Sequence, residues 1–289
     1  MTLRSAAIGP AAAALALALA ASALAAPAPV AAPPPPYAAA DWKKLDPATL
    51  LVIDTTKGRI VVELAPLVAP EHVERIKTLA HQGYYDGLKF FRVIDEFMAQ
   101  TGDKANTGAG ESGLPPLKGT FNFRRGPKDP VVTAPNARGG EFGFVGALPV
   151  NSQPDELMGL TADGKVKAWG AFCSGVAGMA RTNDPDSAAT QFFLMRHPYP
   201  SLDDRYTPWG RVVVGLEVVR AINVGEPPAN PDVMTRVRLA SDLPAAERPD
   251  VWQVDPASAA FRARMAAAVR EKGAEFTACD LDVPAEIRK

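Results

Sequence analysis

Residues 50–64 spell LLVIDTTKGRIVVEL, two runs of strand-forming residues on either side of a short polar segment. The runs 50–55 and 59–64 are rich in aliphatic and β-branched residues, which favour β-strands. Gly58 lies between them and can adopt the positive φ angle that a tight turn requires. The segment therefore predicts a β-hairpin.

Most of the segments after the hairpin also predict short strands. Pro70 suits the first turn of a helix that Gly83 ends, and residues 215–222 predict a second short helix. Further strands are predicted at residues 90–94, 97–100, 142–145, 192–195 and 211–214. Because strands and helices do not alternate, a parallel sheet is disfavoured and a mainly β barrel or sandwich is expected.

The composition is that of a globular chain with one or two domains. Its 289 residues include 31 Lys and Arg against 32 Asp and Glu, and 47% are hydrophobic. This hydrophobic content is too high for a disordered chain, and two cysteines are too few for a disulfide scaffold. The net charge of −1 gives no electrostatic reason to expect nucleic acid or an anionic membrane as a partner.

The first 25 residues have the pattern of an export signal. Arg4 is their single charge, residues 11–24 form an apolar run, and the segment ends in Ala-Leu-Ala. This pattern is typical of a cleaved signal peptide. The alternative is a membrane anchor, which needs a run of about 20 apolar residues. We expect export, with the bacterial periplasm as the compartment and no membrane association after cleavage.

The rest of the chain divides into three predicted parts. They are a Pro/Ala-rich extended linker at 26–40, a main domain at 41–243 with a Gly- and Pro-rich loop insertion at about 104–170, and a helical tail at 244–289.

One helix is predicted within the tail. Asp255 is a suitable N-cap, and Gly273 suits the C-terminal end. Phe261, Met265 and Val269 form an apolar stripe at four-residue spacing, which we expect to pack on the main domain.

Several common kinds of site are disfavoured. Residues 108–113 match the dinucleotide pattern Gly-x-Gly-x-x-Gly, but Pro115 and Pro116 prevent the helix that would hold a pyrophosphate. The three histidines and two cysteines lack metal-ligand spacing, and no Gly-x-Ser-x-Gly elbow occurs. We expect neither a cofactor nor a metal site.

Two longer blocks resemble a known family. Residues 90–103 read FFRVIDEFMAQTGD, and residues 175–182 read GVAGMART, followed by SAATQFF at 187–193 and WGRVV at 209–213. In this order, the blocks resemble cyclophilin-type peptidyl-prolyl cis–trans isomerases over about residues 50–222. The resemblance implies a closed eight-stranded antiparallel β-barrel capped by two α-helices, with proline-containing polypeptides as substrates.

The resemblance also implies that Arg92 is the catalytic residue and that Gln100 hydrogen-bonds the substrate backbone. Rotation about a peptidyl-prolyl bond has a barrier of ~18–20 kcal/mol because amide resonance must be broken. At the midpoint the proline nitrogen regains a lone pair, so a cation beside it stabilises that state more than either planar state. The alternative is that Arg92 is an arginine of the barrel surface.

The remaining site residues follow from the same matches. The residues implied to bind substrate are Phe97, Met98, Ala180, Arg181, Gln191, Phe193, Leu202 and Tyr206. Without the resemblance, the apolar members of this set would be interpreted as core. Ser201 and Tyr206 stand where many family members have tryptophan and histidine, so we expect weak inhibition by cyclosporin and reduced activity.

Two other functions stay open. A barrel of this kind could bind proline-containing segments as a chaperone or scaffold with little isomerisation, or it could be an envelope structural protein tethered by its Pro-rich arm.

Cys173 and Cys279 also leave two alternatives. In an oxidising compartment they can pair and tie the tail to the barrel, or they can be two buried thiols.

Overall fold

The computed structural model describes Thr2 and residues 35–110, 112–136 and 139–288. Apart from Thr2, the predicted signal peptide lies outside the described residues, and so does the predicted linker before Pro35. No helix within these ranges is long and apolar enough to cross a membrane.

The described chain is mainly β. Its strands are β1 (Trp42–Lys44), β2 (Leu50–Thr55), β3 (Gly58–Leu64), β4 (Arg92–Val93), β5 (Met98–Thr101), β6 (Phe123–Arg125), β7 (Val132–Pro135), β8 (Glu141–Val145), β9 (Leu148–Ser152), β10 (Val166–Gly170), β11 (Val176–Met179), β12 (Phe192–Met195), β13 (Pro208–Val214), β14 (Met234–Leu239), β15 (Val251–Val254) and β16 (Ala285–Ile287). The α-helices are α1 (Pro70–His81), α2 (Leu216–Ala221) and α3 (Ala259–Lys272).

Eight strands form one curled antiparallel sheet in the order β14-β2-β3-β13-β11-β12-β5-β4. The predicted hairpin is its β2–β3 pair, in which Thr55 pairs with Gly58 across a two-residue turn. Gly58 has a φ of +135°, a value that favours glycine. The predicted hairpin is therefore confirmed, with Gly58 as the first residue of β3.

Backbone hydrogen bonds connect the two edges of this sheet. Gly87 N–H donates to Met234 O at 2.7 Å, and Met234 N–H donates to Leu88 O at 2.9 Å. Val93 N–H donates to Gly225 O at 2.8 Å, and the reverse bond measures 2.9 Å. The β4 side of the sheet therefore meets the β14 side, as in a barrel.

The apolar run of β2 is continuous because both faces of the strand are buried. Leu51 and Ile53 belong to the core inside the curled sheet. Leu50 and Val52 point to the other face, where they join a cluster with Val251 of β15. Successive side chains of a strand alternate between faces, so a strand with one solvated face would show alternating polar residues instead.

Both predicted helices of the main domain are present. Val73 and Ile76 of α1 are buried in the core of the curled sheet, and so is Val219 of α2. The two helices cover that core, which agrees with the expected cyclophilin-like architecture.

The segment predicted as a loop insertion at 104–170 contains a sheet. Its strands form a five-stranded antiparallel sheet in the order β6-β10-β9-β8-β7. Phe142 and Phe144 of β8 are fully buried, and their rings lie 4.5 Å from Phe276 and 5.3 Å from Phe261 of the tail, respectively. The sequence signal was weak because these short strands contain Gly and Pro, and contacts distant in sequence stabilise them.

The tail is only partly helical, because β15 pairs with both β1 and β16 in a three-stranded antiparallel sheet. Asp255 is not the N-cap of α3. Ser258 has that role, since its Oγ accepts from Phe261 N–H at 3.2 Å, and Gly273 ends the helix as predicted. Asp255 N–H instead donates to Asp41 O at 2.7 Å, which keeps this residue in the connection after β15.

A disulfide joins Cys173 to Cys279 across 106 residues of sequence. Cys173 lies between β10 and β11, and Cys279 lies in the tail after α3. Of the two alternatives for these cysteines, the structure has the paired one, which attaches the tail to the main domain.

Candidate active site

Arg92 of β4 lies directly opposite Gln100 of β5 in the strand register. Its Nε donates to Glu226 Oε2 at 2.6 Å, and its Nη1 donates to Gln100 Oε1 at 3.4 Å. The Arg92 side chain is 40% exposed. Hydrogen bonds at two nitrogen atoms restrain the plane of the guanidinium while leaving part of it accessible.

A cavity of about 100 Å³, here called the small cavity, adjoins Arg92. Nine of the ten residues that the resemblance assigns to the site line it. They are Arg92, Phe97, Met98, Gln100, Ala180, Arg181, Phe193, Leu202 and Tyr206. The fold therefore brings these residues together from separate segments of the chain.

Buried apolar side chains form part of the wall of the small cavity. Met98, Phe193 and Leu202 are 1%, 4% and 7% exposed. The Phe193 ring centroid lies 5.9 Å from that of Phe172 and 6.0 Å from that of Tyr206. A cavity of this size and lining suits a small apolar ring.

Gly178 leaves room for the Phe193 ring. The two residues pair across β11 and β12. A Cβ atom on Gly178 would lie 2.7 Å from both Phe172 Cε1 and Phe193 Cζ, closer than carbon atoms approach in proteins. Glycine at this position therefore allows Phe193 to keep its place in the cavity wall.

Gln191, the tenth predicted residue, lies next to the small cavity rather than in its lining. Gln100 Nε2 donates to Gln191 Oε1 at 3.1 Å, and Gln191 Nε2 donates to Gly108 O at 3.2 Å. Gln191 lines a second cavity of about 670 Å³, here called the large cavity, to which Gln100 and Arg181 also contribute. These bonds orient the Gln100 amide so that its oxygen faces Arg92.

Asp203 anchors the segment that carries Leu202. Its Oδ1 accepts from Phe172 N–H at 2.8 Å. Burial raises the pKa of the Asp203 carboxyl to about 6; the hydrogen bond from Phe172 opposes this rise, and the charge of Asp204 adds to it. A group beside the cavity wall therefore titrates at mildly acidic pH.

Sequence reasoning missed four residues of this site: Glu226, Phe172, Gly178 and Asp203. Glu226 is 134 positions from Arg92 and has no local signal, because it is an exposed acid in a loop. Gly178 lies inside a block that resembled the family, but its role depends on the ring positions.

Within residues 35–110, 112–136 and 139–288, no group of three or more His, Cys, Asp or Glu residues is placed to hold a metal ion. The lining of the small cavity combines buried apolar side chains with two guanidinium groups, those of Arg92 and Arg181. A curled antiparallel sheet with such a cavity is the arrangement that the sequence resemblance implies for the class of β-barrel peptidyl-prolyl isomerases.

Comparisons with known proteins identify the family within this class. Residues 50–241 match the family model described as cyclophilin type peptidyl-prolyl cis-trans isomerase/CLD. A probable peptidyl-prolyl cis-trans isomerase of Brucella suis biovar 1 (strain 1330) is 30% identical over 213 residues, 68% of this chain and 85% of the relative. A peptidyl-prolyl cis-trans isomerase-like 1 of Aspergillus fumigatus is 31% identical over 178 residues, 61% of this chain and 83% of the relative.

A solved structure is similar over more of the chain. The crystal structure of cyclophilin AquaCyp293 from Hirschia baltica has a TM-score of 0.76 and 37% sequence identity, covering 85% of this chain and 93% of that one. The chain belongs to the cyclophilin-type peptidyl-prolyl cis–trans isomerase family, so its enzyme class is peptidyl-prolyl isomerase.

Proposed function

We propose that this chain accelerates rotation about X–Pro bonds in exported polypeptides, and that Arg92 stabilises the twisted transition state. The proline ring occupies the small cavity, and the guanidinium donates a hydrogen bond to the proline nitrogen as that nitrogen becomes pyramidal. Planar ground states lack this acceptor, so the interaction lowers the barrier selectively. Each ~1.4 kcal/mol of selective stabilisation is worth a tenfold gain in rate.

One observation carries this proposal: a restrained arginine and several buried apolar side chains line the same cavity of about 100 Å³. Arg92 is bonded to Glu226 and Gln100 but keeps 40% of its side chain exposed, which leaves donors available to a ligand. Met98 and Phe193 supply the apolar wall against which a proline ring packs. Gln100, opposite Arg92 in the register, is suited to bond the substrate backbone.

Export of the chain is part of the proposal. The charge and hydropathy pattern of residues 1–25 supports it. The disulfide between Cys173 and Cys279 supports it too, because disulfides persist mainly in oxidising compartments such as the periplasm. The substrates are then polypeptides that fold after export.

The test replaces Arg92 and measures isomerisation of a proline peptide. Arg92→Ala should lower kcat/KM by roughly 100-fold, the size expected for loss of one transition-state donor, with an unchanged circular dichroism spectrum. Arg92→Lys should retain part of the activity, because it keeps a cation without the planar fork. Arg262→Ala, an exposed arginine of α3, is the matched control and should match the wild type. Unchanged turnover by Arg92→Ala would contradict the mechanism.

The same assay tests the alternative that the protein binds proline-containing segments without isomerising them. Such a protein would bind the peptide and suppress aggregation of a folding substrate without accelerating its isomerisation. Tyr206 in the lining of the small cavity motivates this alternative, since many family members have histidine at that position. Rate acceleration by the wild type would exclude it.

A further inference from the structure

The two cavities of the site are contiguous. Gln100, Ala180 and Arg181 line both of them. Neighbouring residues of an extended peptide are only about 3.3 Å apart, so a peptide with its proline in the small cavity reaches the large cavity within a residue or two. At about 670 Å³, the large cavity has room for the side chain of such a residue.

Four contacts hold the Arg181 guanidinium at this boundary. Its Cζ lies 4.2 Å from the ring centroid of Tyr206 and 5.7 Å from that of Phe121. Its Nη1 donates to Thr182 O at 2.9 Å, and its Nη2 donates to Arg205 O at 3.1 Å. Stacking on an aromatic ring and bonding to carbonyl oxygens orient the guanidinium without neutralising its charge.

The charge of Arg181 is available to a ligand. In the described part of the chain its hydrogen-bond partners are carbonyl oxygens, and no carboxylate pairs with it. Its Nε is buried and has no acceptor there. Arg92 differs, because Glu226 accepts from its Nε. Because Nε of Arg181 is enclosed by the protein, a ligand acceptor meets the second N–H of its Nη1 or Nη2, which the two hydrogen bonds to carbonyl oxygens do not use.

Among the described residues that line the large cavity, Arg181 is the single charged one. We propose that Arg181 is a specificity residue that selects polypeptides with Asp or Glu within two residues of the proline. A substrate carboxylate in the large cavity accepts from the guanidinium, whereas Lys or Arg at the same position is repelled. This preference rests on the proposed function, because it assumes that the small cavity holds the proline.

The test uses two series of peptides that contain one proline. Each series places Glu, Gln or Lys at one position, either two residues before or two residues after the proline, and kcat/KM for isomerisation is measured with the full chain. In one of the series, kcat/KM of the wild type should be about three- to tenfold higher for the Glu peptide than for the Lys peptide, with the Gln peptide between them. This Glu-to-Lys ratio of kcat/KM should be close to one in Arg181→Gln and should stay above one in Arg181→Lys.

The ratio is taken within each variant, so a uniform loss of activity does not affect it. A wild-type ratio near one in both series, or a ratio that persists in Arg181→Gln, would overturn the inference. Arg205→Gln is the matched control, because it removes one positive charge from an exposed neighbour that lines neither cavity. If Arg205→Gln also lost the preference for Glu over Lys, the preference would come from the overall positive charge of the region rather than from Arg181. That result would also overturn the assignment.

Failure of this inference is distinguishable from failure of the proposed function. Turnover of the Gln peptide without discrimination between Glu and Lys would reject the role of Arg181 alone. If the wild type accelerated isomerisation of none of the peptides, the proposed function would fail. Calorimetric affinities of the same peptides for the wild type and Arg181→Gln would then decide whether the preference exists in binding.

Discussion

Arg92 and Glu226 form an ion pair in which Nε donates to Oε2 at 2.6 Å, although the two residues are 134 positions apart. The pair exists because the edges of the curled sheet meet. Val93, next to Arg92, exchanges backbone hydrogen bonds with Gly225, next to Glu226. The orientation of the proposed catalytic group therefore depends on closure of the sheet.

Glu226→Ala should lower kcat/KM for a proline peptide by about threefold to fivefold. A part-exposed ion pair stabilises the orientation of its side chains by up to about 1 kcal/mol. Without Glu226, the Arg92 guanidinium keeps only its hydrogen bond to Gln100. In the proposed mechanism Arg92 acts in the transition state, so kcat should fall while KM changes little. Steady-state kinetics measure both parameters.

Glu226→Gln should restore most of that activity, since its amide oxygen still accepts from Arg92 Nε. Glu217→Ala, which removes an exposed carboxylate from α2, is the charge-matched control and should have no effect. Equal kinetics for Glu226→Ala and the wild type would show that Glu226 does not orient Arg92.

Gly178→Ala should impair both the cavity and the fold. The added Cβ would lie 2.7 Å from the Phe172 and Phe193 rings, so at least one of these rings must shift, and Phe193 is part of the wall of the small cavity. Such overpacking costs about 1–3 kcal/mol of unfolding free energy, and we expect a fall in kcat/KM of roughly tenfold. Denaturant unfolding and peptide kinetics measure the two effects. Gly159→Ala is the control, because its Cβ would meet no atom within 4 Å; similar behaviour of the two variants would refute this explanation.

The disulfide should make the protein sensitive to reductant. A bond between Cys173 and Cys279 closes a long loop, for which the chain-entropy model predicts up to about 4–5 kcal/mol of stabilisation. Cys279→Ser should therefore lower the thermal midpoint of the oxidised protein to that of the reduced wild type. Alkylation followed by mass spectrometry is the direct check: two alkylated cysteines in the unreduced, unfolded protein would mean that the bond does not form.

Asp203 should make stability depend on pH. Burial raises the pKa of its carboxyl to about 6 in the folded protein, from 3.8 as the reference value. Between pH 4 and pH 6 the folded state therefore binds more protons than the unfolded state, so the contribution of this group to stability falls as the pH rises through this window.

Asp203→Asn should remove this dependence. The difference in unfolding free energy between wild type and variant should be independent of pH above about pH 7. It should then shift in favour of the wild type by about 1–2 kcal/mol as the pH falls to 4, a value reduced for solvent screening. Urea unfolding of both proteins at several pH values measures the difference. A difference independent of pH would rule out Asp203 as the titrating group.

The site could be predicted from the sequence to the extent that its residues lie on strands paired within two blocks. Arg92 pairs with Gln100, and Gln100 pairs with Phe193, so residues that resemble the family in sequence are also neighbours in register. The sheet within the insertion was harder to predict. Phe142 and Phe144 resemble any short apolar run until Phe261 and Phe276 of the tail cover them.

The sequence by itself determined the hairpin at residues 50–64 and the two helices of the main domain, because local propensity carries that information. The residues that line the small cavity were indicated by the order of the motifs, through their resemblance to the family. Only the tertiary structure decided that Glu226 restrains Arg92, that Arg181 lines both cavities and that the tail folds onto the inserted sheet. The first and last of these join segments more than 100 positions apart, and all three arise only when segments distant in sequence are folded against each other.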